Sequence, residues 1–496
     1  TTPLRKGPYL FGRFTGALLA SGLVCVALAA GAFLGSLMPW IDQERILAPS
    51  LSPYLYALGV FILPNLLTIA AISFAVATLT RRVMYAYVAL LGLLVIWVVS
   101  GNYIGDLDND TLAAISDPWG VRTYALATRY LTPAESNTTV WVLTNEVIIN
   151  RALWTAVGPL VLAFTYLRYR LMAHSEGGKK KPEALEDMES KREVPKLPKV
   201  ELRHDLRASL SQLWLQLRLE TRNVLRSTSF IVIALFSTGN LIGVSLAVLS
   251  RGGTEVLPVS HVMLNAINGG TAIFALIVLV FHSGELVHRE RQHNIHELYD
   301  AMPVARWVPL ISKLGAMMAA IFALLILGAV TTVTIQAIKG YTTFELGLYL
   351  RELGTVQMSS WAIMCGLAIF FQVFINQKFV GYMAMVLLFV FQAALPAMDF
   401  EHQLYLVGSL PNTTYSDMNG YGHFVEGRVA FTVYWSAFVC LLILIAELFW
   451  VRGTDQTFKA RVKLARERLN GTRIAALAAV SLLFVGSGAF IFYNTN

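Results

Sequence analysis

The densest run of chemically capable side chains is His282-Ser283-Gly284-Glu285-Leu286-Val287-His288-Arg289-Glu290-Arg291-Gln292-His293-Asn294-Ile295-His296-Glu297-Leu298-Tyr299-Asp300. Its histidines raise metal chemistry first. His293 and His296 are spaced i, i+3 with Glu297 beside them, but a metal site needs three or four convergent ligands, and no matching set stands elsewhere. His296-Glu297 continues as Leu-Tyr-Asp, so the His-Glu-x-x-His motif of zinc peptidases is absent. Ser416, Asp417 and His423 occur together without a Gly-x-Ser-x-Gly elbow. Asp417-Met418-Asn419-Gly420 begins like a calcium loop but lacks the later ligands and suits a turn better. No Gly-x-x-x-x-Gly-Lys-Ser/Thr run is present, so no nucleotide binds here through a Walker loop. No catalytic or metal-binding residue is therefore assigned. The remaining reading is mechanical: a charged helix that docks onto another protein.

The elements that must position such a helix are membrane spans. Of 496 residues, 56% are hydrophobic and 14% charged, a balance foreign to soluble proteins. Apolar stretches of about 20 residues recur, enough to cross a hydrocarbon core of roughly 30 Å. Eleven spans are predicted, at 14–38, 53–79, 85–103, 152–170, 229–250, 262–283, 308–336, 356–375, 379–396, 429–450 and 474–493. Cys25, Cys365 and Cys440 all fall within spans and form no disulfide framework. The net charge of +8 is placed for a membrane rather than for nucleic acid. With alternate loops assigned to the cytoplasm, Arg45, Arg122, Arg129, Arg151, Arg251, Lys339, Arg351 and Arg428 lie outside and the rest of the 39 Lys and Arg inside. This is the positive-inside pattern; it puts the central loop in the cytoplasm and the chain end outside. Arg5, Lys6 and Arg13 lead into a span too long for a signal peptide. The spans read as nearly free of ionisable groups, with Glu447 and His282 near cytoplasmic ends. Ion-coupled transport usually needs charge at mid-membrane, which disfavours a secondary transporter.

Between Arg168 and Arg226 lies one long cytoplasmic connection. Its first part, with Gly177-Gly178-Lys179-Lys180-Lys181-Pro182, reads as a flexible linker. Its second part places Leu206, Leu210, Leu213, Trp214, Leu217, Thr221, Val224 and Leu225 on one helical face. That pattern suits a helix at the membrane surface, with Leu210, Trp214 and Leu217 in the interface; a soluble helix on a partner protein is the alternative.

One pattern occurs twice. Pro303, Arg306 and Lys313 precede a long apolar run, as Pro3, Lys6 and Arg13 do at the start. Thr80-Arg81-Arg82-Val83-Met84 and Asn376-Gln377-Lys378 each join a tight pair of spans, and Tyr85-Ala86-Tyr87 matches Val380-Gly381-Tyr382. Long outer loops follow, at 104–150 and 397–428, and aromatic Tyr415, Tyr421 and Phe424 should fold the second one back onto the interface. Both copies run the same way, a parallel repeat. The fold expected is an all-α polytopic membrane protein with two parallel-repeat permease halves, the first incomplete, plus one extra C-terminal span. Residues 1–170 give the last four spans of the first half, 171–228 the linker and interfacial helix, and 229–452 a six-span second half. Residues 453–496 are a basic cytoplasmic stretch and a span leading to an outer-face domain.

An interfacial helix, a six-span unit, a charged loop after its second span and a re-entrant outer loop before its sixth resemble the permeases of type-2 ATP-binding cassette (ABC) exporters. Ser283-Gly284-Glu285-Leu286-Val287, Arg289-Glu290-Arg291, His296-Glu297-Leu298, Asp300 and Pro303 are similar to bacterial permeases fused to an aminopeptidase N-like domain. So are Phe11-Gly12-Arg13-Phe14-Thr15-Gly16, Ser36-Leu37-Met38-Pro39-Trp40, the run Tyr415 to Phe424 and the terminal Phe492-Tyr493-Asn494-Thr495-Asn496. The resemblance implies a bacterial inner-membrane permease whose two halves form one pathway. Two spans would precede this sequence, and a zinc metalloaminopeptidase domain would follow it outside. It implies ATP-Mg on two separate ATP-binding subunits, no cofactor in this chain itself, and room for a homo-oligomer. Glu285, Arg289, Glu290, Arg291, Glu297 and Asp300, with Arg5 and Lys6 in the first half, would couple to those subunits, Arg289 and Arg291 being exposed. A scaffold that anchors the peptidase and transports nothing, or a secondary transporter, is the competing expectation.

Overall fold

The computed structural model describes residues 5–38, 49–81, 85–97 (save 88, 91, 94 and 95), 110–169, 205–249 and 256–495 (save 399, 412–414, 417, 423 and 454–456). The expected linker at 171–200, the later part of the span at 85–103, Pro3, Pro39-Trp40, Asp417, His423 and Asn496 lie outside the described residues. Among those described, nine helices are long and apolar enough to cross a membrane, and Lys378–Ala394 is a shorter apolar one. Its 17 residues reach the lower bound of about 17 for a span. The described residues of 85–97 are helical. The chain is an all-α polytopic membrane protein, and it divides into two compact units, Thr1–Leu202 and Arg203–Asn496.

Unit 1 begins with α1 (Lys6–Ser36). Then α2 (Ser52–Tyr56) passes through one π turn (Ala57–Ile62) into α3 (Leu63–Thr80). Short helices α4 (Asp110–Ser116), α5 (Val121–Thr128) and α6 (Pro133–Thr138) precede α7 (Asn145–Arg168). Helices α3 and α7 pack closely because Gly158 has no side chain; a Cβ there would stand 3.1 Å from Leu67. Lipid tails are as apolar as leucine, so such close contact and hydrogen bonds hold membrane helices together. Here Thr68 Oγ1 donates to the Trp154 carbonyl at 2.7 Å.

Unit 2 contains α8 (Leu206–Leu225), α9 (Thr228–Leu249), α10 (Ser260–Gln292), α11 (His296–Ala301) and α12 (Trp307–Ile338). Next, α13 (Leu346–Arg351) passes through a second π turn (Glu352–Gln357) into α14 (Met358–Ile375). Then come α15 (Lys378–Ala394), α16 (Phe424–Phe449), α17 (Phe458–Arg468) and α18 (Gly471–Thr495). Its core is the inner stripe of α10 (Phe274, Ala275, Val278, Leu279) against Met317, Ile321, Leu324 and Leu325 of α12, all at most 1% exposed. Gly270 admits Leu241 of α9 and Gly366 admits Val439 of α16. At 33 residues, α10 is about 50 Å long, well over the roughly 30 Å hydrocarbon core. Its last turns therefore stand clear of the membrane and carry the charged run.

One expectation is corrected here: Glu285 to Gln292 do not form a separate exposed helix; they are the end of α10. After α16, Arg461 on α17 is 3% exposed and donates to the carbonyls of Val373 at 2.6 Å, Phe374 at 2.8 Å and Phe449 at 3.1 Å. Arg468 donates to Leu448 and Trp450. These guanidiniums satisfy the carbonyls that helix ends leave open, at the ends of α14 and α16. Beyond them, α18 stacks Phe484 on Tyr434 of α16, ring centroids 4.7 Å apart.

Candidate functional site

At the charged end of unit 2, α10 stops in a Schellman turn. Asn294 takes φ 55°, and the Ile295 and Asn294 amides donate to the carbonyls of Glu290 and Arg291. The preceding turns face inward. Glu290 accepts from Lys313 of α12 at 2.7 Å, and Lys313 also donates to the Leu286 carbonyl. Glu220 of α8 pairs with Arg289 at 2.6 Å and stands 3.6 Å from Lys313. Lys313 is 0% and Glu220 2% exposed. Burying an ion costs several kcal/mol unless it is paired; two carboxylates and two cations balance here, joining α8, α10 and α12.

The back of α11 is tied down as well. Tyr299 accepts from Gln216 Nε2 of α8, and burial, with the Glu290 charge nearby, pushes its phenol up to about 12. Asp300 accepts from the Gly453 amide at 3.0 Å, and Arg452 donates to the Val304 carbonyl at 2.6 Å. Glu285 pairs with Lys378 at the start of α15. The opposite face is bare: Ile295, Leu298 and Met302 are 50%, 77% and 42% exposed, and His293 and Glu297 are exposed beside them. The arrangement is a rigid knob with an apolar tip, braced against α8, α12 and the end of α16.

The expected coupling residues therefore separate. Glu297 is on the exposed tip. Glu285, Arg289, Glu290, Arg291 and Asp300 are in the bracing. Arg289 and Arg291 are not exposed as expected: Arg289 is engaged by Glu220, and Arg291 is half-buried, its charge interacting with Asp300 and Glu290. In unit 1, Arg5 precedes α1 and is exposed, while Lys6 lies over the Tyr166 ring, 4.7 Å from its centroid. Of the interfacial trio, Leu210 and Trp214 are exposed, and Leu217 packs over Gly315. Sequence reasoning missed Glu220 as a site residue; its signal is that it is the one acidic residue in α8. It also read the spans as nearly free of charge, whereas Lys313 is buried in α12 because two carboxylates meet it. Among the described residues, no three His, Cys, Asp or Glu converge as metal ligands do.

The loop ends of the two units repeat one construction. Each π turn has six residues and is followed by an 18-residue helix, which ends in a left-handed residue, Arg81 at φ 55° or Asn376 at φ 58°. Arg151 of α7 donates to Asn65, the third residue of α3, at 2.8 Å. Arg428 of α16 donates to Ser360, the third residue of α14, at 3.3 Å and to the Val356 carbonyl at 2.6 Å. Each loop docks here. Asn65 and Asn150 bind the carbonyls of Trp119, Ala114 and Asp117; Tyr421 donates to Glu352 within the π turn. Tyr421 is 6% exposed, so this ring is packed against its own unit rather than lying in the lipid interface as expected.

Residues 217–394 match the family model described as ABC-2 family transporter protein. The matched stretch runs from within α8 to the end of α15 and contains Glu220, Arg289, Glu290, Lys313 and all of α11. It supports a permease component of an ABC transporter, which associates with ATP-binding cassette subunits. No curated protein and no solved structure matches the chain.

Proposed function

We propose that the chain is the membrane permease of an ABC transporter of the bacterial inner membrane, with α11 as the cytoplasmic knob received by an ATP-binding subunit. The observation that carries this is the division of α11 into a bare apolar tip and a fully braced back. An apolar anchor such as Leu298, ringed by polar groups, is what a partner's pocket takes hold of. Tyr299 and Asp300 pass a displacement of the knob to α8 and to the end of α16, and the Glu220–Arg289–Glu290–Lys313 cluster passes it to α12. Closure of two ATP-Mg-loaded subunits would thereby bias the spans between two states, to the extent that the subunits bind those states differently. The π turns, where helices commonly change register at functional sites, would let the loop ends respond. The parallel repeat gives each half such a device. Continuation of the chain into an outer-face zinc aminopeptidase rests on the sequence resemblance alone.

The test is co-purification. Ile295→Asp/Leu298→Asp should fold normally, since both side chains are exposed, yet lose the ATP-binding subunits and with them ATP turnover. Undiminished assembly and turnover would remove α11 from the interface. A wild-type chain that brings down no ATPase would favour the scaffold reading.

A further inference from the structure

On the flank of α8 turned away from Glu220 lies an open groove of about 770 Å³ between α8 and α12. Its walls are apolar, from Trp214, Leu217 and Leu225 to Gly315 and Ala319. Gly315 keeps the floor low; a Cβ there would meet Leu217 at 2.8 Å. Along the rim stand Arg218, Arg222 and Arg226, spaced i, i+4, i+8 and so about 6 Å apart along the helix. All three are exposed. None forms an ion pair among the described residues, and the one acid of α8, Glu220, is held on the far side by Arg289 and Lys313.

We infer that this groove is a binding site for an anionic phospholipid. The guanidiniums take the headgroup phosphate, which their planar forks grip in bidentate fashion. The acyl chain lies along the apolar floor, toward Ala319, which is the thirteenth residue of α12 and about 18 Å from its start. The charge identifies the lipid class, and the long apolar wall beside it separates a lipid from a free anion. Because α8 also carries Glu220 and Gln216, an occupant here sets the position of the helix that braces α11. The lipid site itself is independent of any ATP-binding partner.

The test uses the purified chain in mild detergent, with retained lipid counted by native mass spectrometry after addition of phosphatidylglycerol or phosphatidylcholine. Phosphatidylglycerol should be retained preferentially, and each of Arg218→Gln, Arg222→Gln and Arg226→Gln should weaken it about fivefold, the worth of one basic residue at an anionic surface. Thermal unfolding of these variants should match the parent, since the substituted side chains are exposed. Ala319→Trp, which fills the groove and leaves the arginines in place, should exclude long-chain phosphatidylglycerol while sparing a dihexanoyl analogue. Equal retention of phosphatidylcholine, or undiminished phosphatidylglycerol in the triple variant, would overturn the site. Displacement of phosphatidylglycerol by millimolar inorganic phosphate would also overturn it, by showing a phosphate site without a lipid.

Discussion

Arg13 of α1 and Lys313 of α12 hold the same register in the two copies of the sequence pattern, seven residues beyond the equivalent Lys6 and Arg306. Arg13 is exposed and donates to Tyr9 one turn back at 2.6 Å. Lys313 is wholly buried between Glu290 and Glu220. The helices themselves are alike, 31 and 32 residues long. What differs is the cover: in unit 2, α8 lies over the helix and brings Glu220, while no described residue brings a carboxylate to Arg13. At the loop ends the units agree instead, with equal π turns, equal helices and an arginine clamp on the third residue. The shared construction is in the spans, and the asymmetry is in the bracing, which among the described residues belongs to unit 2.

The strongest way to break this comparison is to remove the two cations. Lys313→Met leaves two buried carboxylates short of a partner and should destabilise unit 2 by about 3–5 kcal/mol. Arg13→Met should cost under about 0.5 kcal/mol. Denaturant unfolding in detergent, followed by protease resistance of each unit, measures both. Adding Glu290→Gln to Lys313→Met should restore part of the loss, and equal losses at 13 and 313 would mean that the burial difference carries no energy.

The clamps should behave as equals. Arg151→Met and Arg428→Met each remove hydrogen bonds from a charged donor, worth about 1.5–3 kcal/mol. Hydrogen exchange should rise in 110–128 for the first and in 400–421 for the second, and in neither case in the other unit. A loop that kept its protection would show that the arginine does not hold it.

The smallest effect separates the two helix ends. A left-handed backbone costs Arg81 about 1–2 kcal/mol but is tolerated by Asn376. Arg81→Gly should therefore stabilise unit 1 by up to about 1 kcal/mol, and Asn376→Gly should change unit 2 by only a few tenths. Thermal unfolding of the two variants side by side decides it.

The spans were legible because some 20 consecutive apolar residues have few alternatives to crossing a membrane. The end of α10 was not. Glu285 to Gln292 read as a separate exposed helix, whereas they continue α10 and are engaged by Lys378, Lys313 and Glu220, all distant in sequence. Lys313 was read as the lead-in to an apolar run and not as a buried cation, and Glu220 was overlooked within an amphipathic pattern that drew attention to Trp214 and the leucines. The π turns share a Leu-Gly pair at their second and third residues, in Ala57–Ile62 and Glu352–Gln357, but Leu-Gly within an apolar run does not by itself foretell a π turn. The tight 376–378 turn was legible, since three residues between two spans allow only an antiparallel pair.

The central claim is that the tip of α11 enters an ATP-binding subunit, and cross-linking from Leu298→Cys tests it most directly. The cysteine should join the co-purified ATPase with a short bifunctional reagent, and the yield should change when ATP-Mg is added. A cysteine at exposed Phe379, at the start of the neighbouring α15, serves as the control and should cross-link more weakly. An ATPase that assembles with the chain but cross-links from 379 and not from 298 would contradict the account.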